Sequence, residues 1–252
     1  MILEVQDLSV AYGPKKAVDA VSFAIACGEI FGLLGPNGAG KTSTLSAIEG
    51  LVAPHSGSVL LDGIDVWRYP AQARAKLGVQ LQVASFQSQL TIMQIVRLYA
   101  GLYGVRLASG EIAQALHKIG LGGEANKSFK QLSGGQQQRL GLYIAVVHQP
   151  LLLLLDEPTV GLDPQSRRQL WGRIEDIREE GGSILLTTHS MEEAEALCDR
   201  VAIIDHGRLL ACETPKPPIE MHKNDPEVRK HARGQVTLED VFVGLTGNQI
   251  RG

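Results

Sequence analysis

Nine consecutive residues, Gly35-Pro36-Asn37-Gly38-Ala39-Gly40-Lys41-Thr42-Ser43, restrict this chain more than any other feature. They match the pattern G-x-x-x-x-G-K-[ST]. The apolar run Glu29-Ile30-Phe31-Gly32-Leu33-Leu34 precedes them and reads as a buried strand, while Thr44-Leu45-Ser46-Ala47-Ile48 reads as the start of a helix. Strand, glycine loop and helix in that order make a phosphate cradle. The glycines let the backbone curl so that successive N–H groups face phosphate oxygens, and the helix N-terminus adds its dipole. Lys41 would reach the β- and γ-phosphates and Thr42 would place a hydroxyl on Mg²⁺. The loop predicts a nucleoside triphosphate site.

At 252 residues the chain is long enough to bury a full core. Its formal net charge of -3 provides no global basic field, which speaks against nucleic acid as a partner. Cys27, Cys198 and Cys212 are far apart, without metal spacing, and suit a reducing compartment as small buried apolar residues. Met1 runs directly into the alternating Ile2-Leu3-Glu4-Val5, so no signal peptide is expected. The most apolar stretch, 144–155, is interrupted by His148, Gln149 and Pro150 and is too short to cross a bilayer. Any membrane role must come through a partner chain.

Alternation in residues 1–30 around Gly13-Pro14 predicts an antiparallel hairpin region, and Val59-Leu60-Leu61 before Asp62-Gly63 another short strand with its turn. From Pro70 to Val147 the periodicity is helical, with one helix capped by Ser109 and stopped by Gly120. Buried strands return at Leu151–Leu155, Ser183–Thr188 and Val201–Ile204. Between the first two, Asp163 caps a helix with Pro164 in first position, and Gly181-Gly182 ends it. Alternating strands and helices imply a mostly parallel sheet. The expected fold is therefore α/β: a P-loop NTPase core, an antiparallel β subdomain and an inserted helical subdomain at about 83–147. Residues 1–213 form the ATPase domain and 214–252, with Pro215, Pro217 and Pro218, a short tail.

Two further motifs carry chemistry. The five-leucine run ends in Asp156-Glu157, at the strand edge where ligands sit in such sheets. Asp156 would hold Mg²⁺ and Glu157 would act as general base for an attacking water. In Leu132-Ser133-Gly134-Gly135-Gln136, Ser133 and Gln136 stand at capping-box spacing, so a helix should begin there with an anion-binding N-terminus.

With these residues in this order, the chain resembles the ATP-binding subunits of ABC transporters over residues 2–210; Leu132–Gln136 matches that family's LSGGQ signature. Further positions fit the resemblance. Tyr12 fits the aromatic that stacks on adenine, and Gln82 the Q-loop glutamine that contacts Mg²⁺ and water, with Gln80 a rival. Asp163, in Gly161-Leu162-Asp163, fits the D-loop, and His189 the switch histidine. The resemblance implies ATP and Mg²⁺ as ligands and a head-to-tail homodimer with two composite sites, each ATP held between the phosphate loop of one copy and the LSGGQ of the other. It also implies a transmembrane permease as partner and a peripheral place on the cytoplasmic face of the membrane, reached through that permease alone. Thr237 to Gly247 resembles the "LEDVF" ending of the exporter branch. The competing reading is a soluble ABC ATPase acting on ribosomes or DNA. Such families usually carry tandem domains or long coiled coils, and this chain has one copy of each motif and no heptad run. After Gln82, Val83, Phe86, Leu90, Ile92 and Met93 make an apolar-rich handover to the helical insertion, where Phe86 is expected as an exposed anchor for the permease.

Overall fold

The hairpin expected around Gly13-Pro14 opens the chain, in a computed structural model that describes residues 1–81, 86–87, 89–213, Asp225, Val228, Arg229, Asp240 and Gly244. β1 (Leu3–Tyr12) and β2 (Lys15–Ile25) pair antiparallel, with Tyr12 opposite Lys15. β3 (Ile30–Leu34) leads through the glycine loop into α1 (Lys41–Ile48). β4 (Ser56–Leu61) and β5 (Ile64–Asp65) flank the Asp62-Gly63 turn and complete a four-stranded antiparallel sheet, ordered β2-β1-β4-β5. α2 (Pro70–Arg74) and β6 (Leu77–Gln80) follow, then three helices: α3 (Ile92–Leu102), α4 (Ser109–Lys118) and α5 (Gly134–Val146). The chain returns through β7 (Leu152–Asp156), α6 (Pro164–Glu179), β8 (Ser183–Thr188), α7 (Met191–Leu197), β9 (Arg200–Asp205) and β10 (Arg208–Glu213). These strands build a six-stranded sheet, β10-β9-β3-β8-β7-β6, parallel except for β10.

The leucine-rich runs make sense on this sheet because both faces are covered. Phe31, Leu33, Leu152, Leu154 and Leu185 point to the side that holds α1 and the antiparallel sheet. Their neighbours Ile30, Leu34, Leu153, Leu155, Ile184 and Leu186 point to the opposite side, against α5, α6 and α7. Period-two alternation thus feeds two cores from one run. The helical insertion has a third core of its own, built on Ile92, Ile95, Ile112, Leu116, Phe129 and Leu140. The parallel sheet therefore places the ends of β3, β7 and β8 side by side, and that edge is where the chemistry of the loop must act.

Several expectations need correction. The helical pattern read from Pro70 onward conceals β6, a strand of four residues with Gly78 at its centre. A side chain at Gly78 would stand 2.2 Å from the Ala145 carbonyl, so the glycine lets α5 close onto the strand. β7 begins one residue later than read, leaving Leu151 exposed at its entry. Ser109 is the first residue of α4 rather than its cap. Glu111 instead accepts the Ala108 N–H at 2.7 Å, while Ser109 receives Arg97. Cys27 is exposed, not buried. Phe86 is no exposed anchor: it is half-buried in the helical core, edge-on to Tyr99 and Phe129 at 5.1 and 4.8 Å. Gln82, Val83 and most of the "LEDVF" ending lie outside the described residues; within that ending, Gly244 packs against the buried Val228.

Candidate functional site

The glycine loop forms as its composition requires. Gly40 has φ 109° and a side chain there would meet the Ala17 carbonyl at 2.5 Å, so only glycine fits. Pro36, Asn37, Gly38, Gly40, Lys41, Thr42 and Ser43 line a cleft of about 580 Å³ together with Tyr12 and Glu157. Gly35 and Ala39 support the loop from behind: Gly35 N–H donates to the Thr188 carbonyl at 3.2 Å, and Ala39 is buried. Tyr12, about half exposed at the end of β1, stands at the mouth.

Charge is concentrated at the inner end. Lys41 is 4% exposed and its Nζ donates to the Gly35 carbonyl at 2.7 Å and the Pro36 carbonyl at 3.2 Å. The same ammonium pairs with Glu157 Oε1 at 3.1 Å, and Glu157 Oε2 lies 3.4 Å from His189 Nδ1. Glu157 also adopts φ 46°, a left-handed conformation uncommon for a non-glycine residue. Its N–H is held by the Thr187 hydroxyl at 3.0 Å and carbonyl at 3.1 Å, so the end of β8 fixes that turn. The Thr187 hydroxyl also donates to Asp156 Oδ1 at 2.5 Å, while the Thr42 hydroxyl reaches Asp156 Oδ2 at 3.2 Å. Thr42 and the buried Asp156 thus offer adjacent oxygen donors, the ligand chemistry a hard cation such as Mg²⁺ takes. Below them Glu49, at the end of α1, is pushed up to about 7, first by burial and then by the charge of Asp156.

The rest of the expected set divides. Ser133 caps α5 with the reciprocal bonds of a capping box: Gln136 N–H to Ser133 Oγ at 3.3 Å, Ser133 N–H to Gln136 Oε1 at 2.9 Å. Ser133 and Gly134 are exposed, and neither they nor Gly135 and Gln136 line the cleft. Asp163 caps α6 through Gln165 N–H and Ser166 N–H, both at 3.0 Å, and these contacts, led by the Ser166 hydroxyl, hold its carboxyl low. It too is apart from the cleft. Gln80 is buried, with its amide committed to the Gln138 carbonyl on α5 at 3.2 Å and to the Gln138 side chain. The structure adds Lys15, Lys16, Ala17 and His206 to the cleft lining. Lys15 was readable, because a tight hairpin puts it across from Tyr12. His206 had no such signal: it arrives on the β9–β10 turn, stitched to the loop by Gly207 N–H to the Ala39 carbonyl at 2.8 Å.

Comparison with known proteins agrees with this geometry. A family model described as ABC transporter matches residues 18–160. The chain is 38% identical over 246 residues to the probable multidrug ABC transporter ATP-binding protein YbhF of Escherichia coli K12, covering 97% of this chain but only 41% of that protein's length. It is 40% identical over 245 residues to the Nod factor export ATP-binding protein I of Paraburkholderia xenovorans LB400, covering 96% of this chain and 81% of that one. A solved structure described as the ATP binding subunit of an ABC transporter superposes with a TM-score of 0.84 at 29% identity, covering 98% of this chain and all of that one.

Proposed function

We propose that this chain, which belongs to the ABC transporter family, binds and hydrolyses ATP to power export through a separate membrane permease. The observation that carries the reading is the contact of Lys41 with Glu157 at the inner end of the loop cleft, with His189 on the far side of the same carboxylate. ATP would lie along the loop with its adenine against Tyr12 and its phosphates on the backbone N–H groups and Ser43. Its γ-phosphate would take Lys41 away from Glu157, exchanging one anion for another. Glu157 is then released to accept the proton of an attacking water, with His189 beside it. Mg²⁺ bound to Thr42 and Asp156, with Gln82 contributing, would neutralise charge on the β- and γ-phosphates.

The second half of the site would come from another copy of this chain. Ser133, Gly134, Gly135 and Gln136 present a capped, exposed helix N-terminus away from their own cleft, which suits donation to a neighbour's γ-phosphate. Asp163 would sit at the same seam. A homodimer with two composite sites follows, closing on ATP and opening after hydrolysis. Among the described residues no helix is long and apolar enough to cross a membrane, so attachment to the cytoplasmic face would run through the permease. The names of the relatives point to export rather than to ribosomes or DNA.

Co-expression decides between these readings. The chain should fractionate with membranes when its permease is present and remain in the supernatant without it. Unchanged fractionation in the two cases would remove the permease from the account.

A further inference from the structure

Three stretches of chain converge at the outer end of the cleft, and one side chain there has no part in the reaction above. β9 and β10 are joined by His206 and Gly207 alone, both at positive φ, 45° and 76°, the two-residue turn of a tight hairpin. The Asp205 carboxylate accepts the His206 N–H at 2.9 Å. Gly207 N–H donates to the Ala39 carbonyl of the phosphate loop at 2.8 Å, and the Gly207 carbonyl accepts the Asp19 N–H at 2.7 Å. A side chain at Gly207 would stand 2.6 Å from the Ala17 carbonyl, so the glycine is what lets the turn sit this close. The turn is thereby fixed between β2 and the phosphate loop.

The imidazole itself does nothing for that packing. The His206 side chain is 87% exposed, and its Nε2 is 3.8 Å from Asp205 Oδ2, too far for a hydrogen bond. Asparagine or aspartate would suit the first turn position better, so the hairpin accounts for the positive φ but not for the ring. The ring nonetheless lines the cleft, with Lys15, Lys16 and Ala17. Among the described residues of that lining the one acid, Glu157, is at the inner end beside Lys41. The outer end therefore offers donors, of which Lys16 is already tied to Asp19. With adenine against Tyr12 and phosphates along the loop, the ribose and α-phosphate lie between them. Ala17 marks that interval: it stands two residues beyond Lys15, the partner of Tyr12, and its carbonyl is 2.5 Å from where a Gly40 side chain would be. The segment of nucleotide that falls there presents hydroxyls and anionic oxygens, which an imidazole N–H can meet.

We propose that His206 is a nucleotide-binding residue, which donates a hydrogen bond to the ribose–α-phosphate segment of ATP. The proposal rests on the ATPase reading and adds a contact at the end of the nucleotide remote from the γ-phosphate. Such a contact is made equally in ground state and transition state. Its loss therefore raises KM and leaves kcat unchanged.

The test is calorimetric titration with ADP, which binds without turnover, alongside ATPase kcat and KM. His206→Gly deletes the ring where glycine holds a positive φ without strain, so the turn and the nucleotide-free thermal transition should persist. Its Kd for ADP should rise about 3–10-fold, the value of one hydrogen bond, and its KM for ATP by a similar factor at wild-type kcat. His206→Gln, with an amide N–H at comparable reach, should recover part of the loss. Repeating the titrations with 2′,3′-dideoxy-ADP assigns the atom: the same loss places the contact on the α-phosphate, and no loss places it on the sugar hydroxyls. Wild-type ADP affinity in His206→Gly overturns the proposal. A Gln variant no tighter than the Gly variant, or a fall in kcat at unchanged KM, overturns it too. Each of these leaves the ATPase reading intact; a wild-type protein that neither binds ADP nor hydrolyses ATP overturns both.

Discussion

Lys41 is held by two carbonyls of its own loop and by Glu157, all in a nearly dry pocket. Lys41→Ala removes the cation that would meet the β- and γ-phosphates, a charged buried contact of about 2–5 kcal/mol. Titration with a fluorescent ATP analogue should show affinity lower by roughly 30-fold or more; affinity close to wild type would falsify the loop assignment. Glu49 makes a prediction about pH. Its folded-state carboxyl is raised to about 7, first by burial and then by Asp156. Below its ordinary value the group is protonated whether folded or unfolded and costs nothing. Between there and pH 7 the unfolded chain releases the proton more readily, so the folded state loses stability as pH rises, by about 2 kcal/mol after allowance for partial screening. Glu49→Gln should therefore stabilise the protein against urea at pH 8 and leave it unchanged at pH 4. An equal shift at the two pH values would contradict this origin.

At the scale of elements, Phe86 belongs to the packing of the helical insertion, wedged between Tyr99 on α3 and Phe129. Phe86→Ala should destabilise by about 2 kcal/mol, below the range for a fully buried ring because Phe86 is only half-buried. Hydrogen exchange should place the loss in α3 and its neighbours; a variant as stable as wild type would put the ring back at the surface. The difference from the sequence expectation is instructive. Polar neighbours Ser85, Gln87 and Ser88 made Phe86 read as exposed, but burial is set by the facing elements, and those come from well beyond the local window. β6 was missed for a related reason: four residues around Gly78 have too little periodicity, and pairing with β7 decides their state. Where local chemistry is decisive the reading was good. β8 spans the residues expected, Asp163 and Pro164 start α6, and the Ser133–Gln136 box starts α5. Within the site, motif positions were legible one by one. The grip of Thr187 on Asp156 and of Lys41 on Glu157 was not, because each joins residues distant in sequence through parallel strand ends.

At the scale of the whole molecule, the proposed reading makes the cleft half a site. The phosphate loop and Glu157 line the cleft, with His189 against the Glu157 carboxylate, while the capped α5 N-terminus is exposed elsewhere and contributes nothing to its own cleft. A triphosphate with its cation needs donors on all sides, and on this proposal a second copy would supply the remainder. Closure of the pair would then depend on intact ATP, and hydrolysis would release it. The variant Glu157→Gln separates these steps. It keeps the shape of the side chain but removes the base, so hydrolysis should slow about 10²–10⁴-fold while binding persists. Size-exclusion chromatography of Glu157→Gln with light scattering, run with and without ATP and Mg²⁺, tests the account most directly. We expect a dimer with nucleotide and a monomer without it. A variant that binds ATP and still elutes as a monomer would contradict the composite site.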